Sequence, residues 1–234
     1  MNETADILCF GAHADDVEIG MGGTIAKYVC KGKTVVIVDL TQANLSSNGT
    51  VDIRLEEANQ AAQILGVMKR ENLQMPDRDL LLSSDKIAKV AWVIRKYRPK
   101  AIFSPYGVDR HPDHGACTEI VKEAIFSSGI FHYLPDCPYP PVKVMKHYLY
   151  MINGFHTPDF YVDISDNMET KLEALRAYVS QFSLQPDSVK TPLTEGYLSR
   201  VKNREFVYGQ EIQCAYAEGF FHQSPFQVDT DWLG

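Results

Sequence analysis

The sequence predicts an α/β fold: a Rossmann-like, mostly parallel sheet with helices on both faces. Three observations carry that prediction. Short apolar and β-branched runs, ILCFGA at 7–12, TVVIVDL at 34–40 and AIFS at 101–104, have the composition of strands buried on both faces. Between them lie stretches with apolar residues at helical spacing, several stopped by glycine. Repeated strand–helix alternation lays strands side by side and helices over them.

The elements follow in order. Ile7–Ala12 reads as the first strand and Val17–Lys31 as a helix closed by Gly32, which suits a left-handed cap. Thr34–Leu40 is the second strand. Arg54–Leu65 carries Leu55, Ala58, Ala62 and Leu65 on one helical face and stops at Gly66. Asn72–Met75 is a short strand, and Ser84 caps a helix presenting Ile87, Val90, Ala91 and Ile94 before Pro99. Ala101–Ser104 is a further strand. Pro112–Ser127 is a helix with proline in its first turn, where a missing N–H costs little. Beyond the proline-rich stretch 135–142, Val144–Ile152 and Phe160–Ile164 read as strands and Asn167–Phe182 as one helix. Gln185–Thr194 reads as a mobile polar loop and Glu195–Tyr208 as the last helix. A single domain over 1–234 is expected, with a Rossmann-like core in 1–130 and a part in 131–234 that completes the site. A chain of 234 residues buries such a core without cross-links.

Lys and Arg number 23 against 30 Asp and Glu, for a net charge of −7, and no basic run occurs, which argues against a nucleic-acid partner. Five scattered cysteines without a CxxC pair suit reduced thiols and a cytoplasmic setting. No signal peptide and no membrane span are expected from the apolar runs.

In such sheets ligands sit beyond the carboxyl ends of the strands. Two clusters occupy that edge: His13-Ala14-Asp15-Asp16 after the first strand, and Asp109-Arg110-His111-Pro112-Asp113-His114 after AIFS. Either alone reads equally well as a helix start, since Asp favours caps and Pro the first turn. Together they suit a catalytic zinc, which takes three imidazole or carboxylate ligands and keeps one position open. His13, Asp16 and His114 supply that set, leaving Asp15 and His111 for proton transfer, with Asp113 to hold His111 in one tautomer and favour its charged form. The turn lacks the glycines of a dinucleotide site, and its carboxylates repel phosphate, which disfavours a nucleotide-binding oxidoreductase. His132, His147, His156 and His222 lack carboxylate company and read as structural or surface residues.

The two clusters resemble the signature of the LmbE-like (PIG-L) zinc deacetylases, a His-Pro-Asp-Asp loop and a later His-x-Asp-His loop. Here alanine replaces the first proline. Segments such as NLSSNGT (44–50), MPDR (75–78), MINGFH (151–156) and TPLTEGY (191–197) are similar to the bacterial branch that acts on N-acetylglucosaminyl-L-malate in bacillithiol synthesis. The resemblance implies an LmbE-like three-layer sandwich and one Zn²⁺ per chain, with Fe²⁺ as the alternative. It implies a small N-acetylated sugar as substrate and a homo-oligomer, a hexamer among the sizes to expect. It also implies His13, Asp16 and His114 as ligands, Asp15 as base, and His111 as acid or oxyanion donor backed by Asp113. Arg54 matches a position near the sugar hydroxyls, and Tyr197 on the polar loop is a candidate oxyanion donor. Arg54, Arg78 and Arg110, read as loop residues near the site, are the candidates for binding carboxylates of the substrate. A chitooligosaccharide is the alternative substrate.

Overall fold

A computed structural model of the chain describes residues 3–223. Its elements are β1 (Ile7–Gly11), α1 (Asp16–Cys30), β2 (Val35–Thr41), α2 (Val51–Leu65), β3 (Lys69–Met75), α3 (Ser84–Tyr97), β4 (Ala101–Pro105) and α4 (Pro112–Ser128). There follow β5 (His147–Tyr150), β6 (Phe160–Asp163), α5 (Met168–Arg176), α6 (Val179–Phe182), α7 (Tyr197–Glu211) and β7 (Ala217–His222). The seven strands form one sheet in the order β3-β2-β1-β4-β5-β7-β6. The first five in that row are parallel, while β7 runs antiparallel to both its neighbours.

Alternation along the strands makes two apolar layers. Ile7 and Cys9 of β1 and Val35 and Ile37 of β2 pack with Val17, Ile25, Ala58 and Leu175 from α1, α2 and α5. Leu8, Phe10, Val36 and Val38 point the other way, against Val90, Ile94, Ile120 and Val121 of α3 and α4. The result is the expected three-layer sandwich. Strand order reverses between β1 and β4, so the crevice between their carboxyl ends is where a ligand belongs.

Helix α1 lies very close to the sheet and its neighbours. A Cβ added at Gly20 would stand 2.1 Å from the Tyr150 ring, and one at Gly23 2.6 Å from Ile164. Between these glycines Met21 leaves helical geometry (φ −149°). The N–H groups freed by that kink are taken by Glu218 of β7, which accepts from Gly23 at 2.9 Å and Thr24 at 2.7 Å. Lys171 Nζ bonds Glu218 at 2.6 Å and Glu205 at 2.5 Å, all three side chains being buried.

Four expectations need correction. The segment 167–182 is not one helix: it breaks after Arg176, where Tyr178 (φ −82°, ψ 63°) turns its hydroxyl onto buried Glu18. Strand β7 was not expected. Helix α2 starts at Val51, capped by the Thr50 hydroxyl, so Arg54 is a helical residue and not a loop one. Tyr197 is the first residue of α7 and is buried, not part of the polar loop. That loop is pinned by Asn48, whose side-chain amide both donates to and accepts from Val189, each at 2.8 Å. No helix among the described residues is long and apolar enough to cross a membrane.

His147 of β5 is buried, with Nε2 2.8 Å from Ser104 Oγ. Burial, with Lys122 adding to it, pushes its pKa down to about 4 from 6.5. The unfolded chain therefore takes up this proton first as pH falls, so the contribution is complete above pH 6.5 and is lost toward pH 4. Between pH 7 and pH 4.5 the wild type should lose roughly 2 kcal/mol more unfolding free energy than His147→Gln. Urea melts at the two pH values check this, and an equal loss in both proteins would refute it.

Candidate functional site

Both clusters lie beyond the carboxyl ends of adjacent strands, His13–Asp16 at the start of α1 and Asp109–His114 at the start of α4. Asp16 is the centre of the arrangement. Its Oδ2 accepts from the His13 backbone N–H at 2.8 Å and lies 3.5 Å from His13 Nδ1, while its Oδ1 is 3.1 Å from His114 Nε2. Each imidazole is backed on its far nitrogen by a further carboxylate. His13 Nε2 lies 3.2 Å from Asp77 and 3.4 Å from Asp113, and His114 Nδ1 lies 3.0 Å from Asp109. Metal-binding histidines are commonly oriented in this way.

Other groupings are also close. Ring nitrogens of His13, His111 and His114 converge within 4.8 Å, as do ligand atoms of His13, Asp77 and Asp113. In the latter, Asp77 already accepts from the Leu45 N–H at 3.0 Å and Asp113 from Arg78 at 2.7 Å, which marks them as outer partners. In the expected set of His13, Asp16 and His114 the buried carboxylate lies against both imidazoles, whose ring centroids are 5.8 Å apart, a donor set that suits a divalent ion. Burial disfavours charge on His114, yet Asp16 and Asp109 outweigh it and lift this imidazole to about 9; a bound cation displaces such protons.

Asp15 occupies a left-handed backbone position (φ 104°), uncommon for a residue with a side chain, and strain of this kind concentrates at functional sites. Arg54 holds the turn: buried, it donates to the Ala14 carbonyl and lies 3.4 Å from Asp15 Oδ2. Burial, with Asp16 adding to it against the opposing pull of Arg54, raises the Asp15 carboxyl well above the usual range. Asp16 goes the other way: burial is outweighed by His114 and His13.

His111 caps α4, and its Nδ1 accepts from the Asp113 backbone N–H at 3.3 Å, which assigns its proton to Nε2. Its pKa is lowered by burial and by His13 and His114. The expectation for Asp113 is thus corrected. It fixes the His111 tautomer through its main chain, its carboxylate serves His13 and Arg78, and His111 is kept neutral rather than charged.

A cavity of about 170 Å³ is walled by both clusters with Arg54, Arg110, Leu193 and Tyr197. The Tyr197 hydroxyl lies 3.2 Å from Ile152 O and 3.1 Å from Asn153 Oδ1. A second cavity, about 370 Å³, shares Arg110, Ile152, Asn153 and Tyr197 with the first and adds Arg200 and Arg204. Arg54, Arg78 and Arg110 all border the first cavity, but the first two are already paired, Arg54 with Asp15 and Arg78 with Asp113.

Sequence reasoning missed Asp77, Asp109 as a partner of His114, and Asn153. The available signals were the MPDR stretch and the place of Asp109 five residues before His114.

A family model described as GlcNAc-PI de-N-acetylase (PIG-L) matches residues 8–125. The diacetylchitobiose deacetylase of Thermococcus kodakarensis is 33% identical over 96% of this chain and 88% of its own length. A probable N-acetyl-alpha-D-glucosaminyl L-malate deacetylase 2 of Bacillus anthracis is 25% identical over 86% of this chain and 92% of its own. The crystal structure of a conserved protein from Thermus thermophilus superposes with a TM-score of 0.88 at 31% identity, covering 98% of this chain and 99% of that one.

Proposed function

The chain belongs to the PIG-L (LmbE-like) family of de-N-acetylases, and from that premise we propose a metal-dependent hydrolase that removes the acetyl group from N-acetylglucosaminyl-L-malate in bacillithiol synthesis. The observation that carries the chemistry is Asp16 in contact with His13 and His114, with buried Asp15 beside them. His13, Asp16 and His114 would hold one Zn²⁺ per chain, Fe²⁺ being the alternative. The ion supplies a Lewis acid and a water made acidic near neutral pH.

Asp15 takes the proton from the water whose oxygen attacks the acetyl carbon; a carboxylate whose pKa is raised is matched to that task. The neutral His111 Nε2–H donates to the oxygen that gains charge, and Tyr197 at the wall of the cavity would be the second donor on turning its one O–H proton away from Ile152 O and Asn153 Oδ1. As the C–N bond breaks, Asp15 returns its proton to the departing amine, leaving acetate. Arg54 keeps Asp15 in its strained turn.

The malate reading rests on the second cavity. Its lining includes three arginines and no carboxylate. Arg204 is committed to Glu205 and to the Ile19 and Ile152 carbonyls, whereas Arg110 and Arg200 have no carboxylate partner among the described residues. Guanidinium groups so placed suit the two carboxylates of a malate aglycone. The 33% match to a diacetylchitobiose deacetylase supports a second reading, a chitooligosaccharide substrate.

Amine release from a panel of N-acetylglucosaminides decides between them. The malate conjugate should exceed diacetylchitobiose in kcat/KM by tenfold or more, about 1.4 kcal/mol. A reversed preference selects the second reading. Release that survives complete removal of metal by chelator would overturn the proposed mechanism for both. We further propose that the active form is a homo-oligomer, which light scattering of the purified chain tests, without nucleic-acid or membrane partners, which co-sedimentation with DNA and with lipid vesicles tests.

A further inference from the structure

We infer that Asp109 is a positioning residue that ties the seat of the ion to the wall that faces the substrate. The inference rests on the metal-dependent reading above and extends it to a residue outside both the ligand set and the reacting groups. The Asp109 side chain is 2% exposed, and its two oxygens serve three parts of the chain. Oδ1 accepts from the His111 backbone N–H at 2.8 Å and faces His114 Nδ1 at 3.0 Å. Both oxygens also meet Asn153, Oδ2 accepting from its backbone N–H at 3.0 Å and Oδ1 from its side-chain amide at 3.0 Å. The Asn153 Oδ1 in turn lies 3.1 Å from the Tyr197 hydroxyl.

A single carboxylate therefore stands between a proposed ligand and the segment that carries Ile152 and Asn153 into both cavities. The His111 and Asn153 backbone N–H groups and the Asn153 side-chain amide all donate to it, which suits an acceptor-only carboxylate, and His114 Nδ1 faces it at 3.0 Å, buried and with no hydrogen-bond partner of its own. A turn cap would need only the His111 N–H; the contacts to His114 and Asn153 exceed that role. Loss of the Asp109 charge should free the His114 ring to rotate and release the Asn153 segment together.

The test measures Zn²⁺ binding to the whole chain by competition with a chromophoric chelator, alongside thermal melts and KM for whichever N-acetylglucosaminide the panel identifies. Asp109→Asn presents an amide N–H₂ to one of these donors. It should bind Zn²⁺ roughly 10- to 100-fold more weakly, as loss of an outer partner of a ligand does, with KM raised and the melting temperature within a few degrees of wild type. Asn153→Leu touches no proposed ligand and keeps its backbone N–H on Oδ2, yet should weaken Zn²⁺ at least threefold because the oxygen that faces His114, Oδ1, loses the side-chain amide. Zn²⁺ affinity within twofold of wild type in Asp109→Asn overturns the inference. If that variant does not fold, affinity within twofold in Asn153→Leu overturns it. Failure of the wild type to hold Zn²⁺ would instead overturn the metal-dependent reading, which keeps the two failures apart.

Discussion

Asp15→Asn should bind Zn²⁺ as the parent does and release amine roughly 10²- to 10⁴-fold more slowly, the loss expected when a positioned base is removed. The replacement is isosteric, and asparagine tolerates the left-handed backbone that this position demands (φ 104°). The Arg54 contact to the Ala14 carbonyl is a main-chain one and persists. What disappears is the one buried carboxylate in the proposed site that is neither a ligand nor an outer partner of an imidazole. Metal content by atomic absorption and kcat on the same purified sample give the answer. Turnover within tenfold of wild type would remove Asp15 from the mechanism, and parallel loss of metal would make it a ligand.

Glu218→Ala should destabilise the chain by about 3–5 kcal/mol, the range for breaking a buried ion pair by removing one partner. The carboxylate accepts from Gly23 and Thr24 at the kink of α1 and bonds Lys171. None of the four side chains in the Lys171 cluster reaches bulk water freely: Lys171, Glu205 and Glu218 are fully buried and Arg204 nearly so. Removal leaves two helix N–H groups without an acceptor and Lys171 with one carboxylate instead of two. For a chain of this size each kcal/mol moves the melting temperature by roughly 2–4 °C, so a drop of about 6–20 °C is expected. A melt within about 2 °C of wild type would show that water or a shifted side chain takes over the role.

The sheet centre and the chemistry were legible in the sequence because both are local signals. Strands β1, β2 and β4 are short, mostly apolar and β-branched runs, and the two clusters follow within a few residues of β1 and β4. Strand β7 escaped notice because AEGFFH mixes a buried glutamate and a glycine into its run; Glu218 belongs there only because α1, far away in sequence, kinks at Met21. The break in 167–182 is equally non-local, since Leu172, Leu175 and Phe182 keep helical spacing while Tyr178 is pulled toward Glu18. Arg54 read as a loop residue open to substrate, and its pairing with Asp15, far earlier in the chain, is a non-local fact that no nearby residue signals. Asp77 and Asp109 carry no mark of their own; what defines them is which imidazole nitrogen each one meets.

The last strand in chain order among the described residues lies inside the sheet, with β5 on one side and β6 on the other. Synthesis from the N-terminus therefore delivers both flanks before the piece that joins them. Until residues 217–222 leave the ribosome, β5 and β6 each present an unpaired edge, and the kinked helix lacks its acceptor from Glu218. Such edges recruit other chains. A nascent polypeptide stalled before this point holds the proposed ligands yet is exposed to aggregation, so its yield depends on how quickly translation finishes.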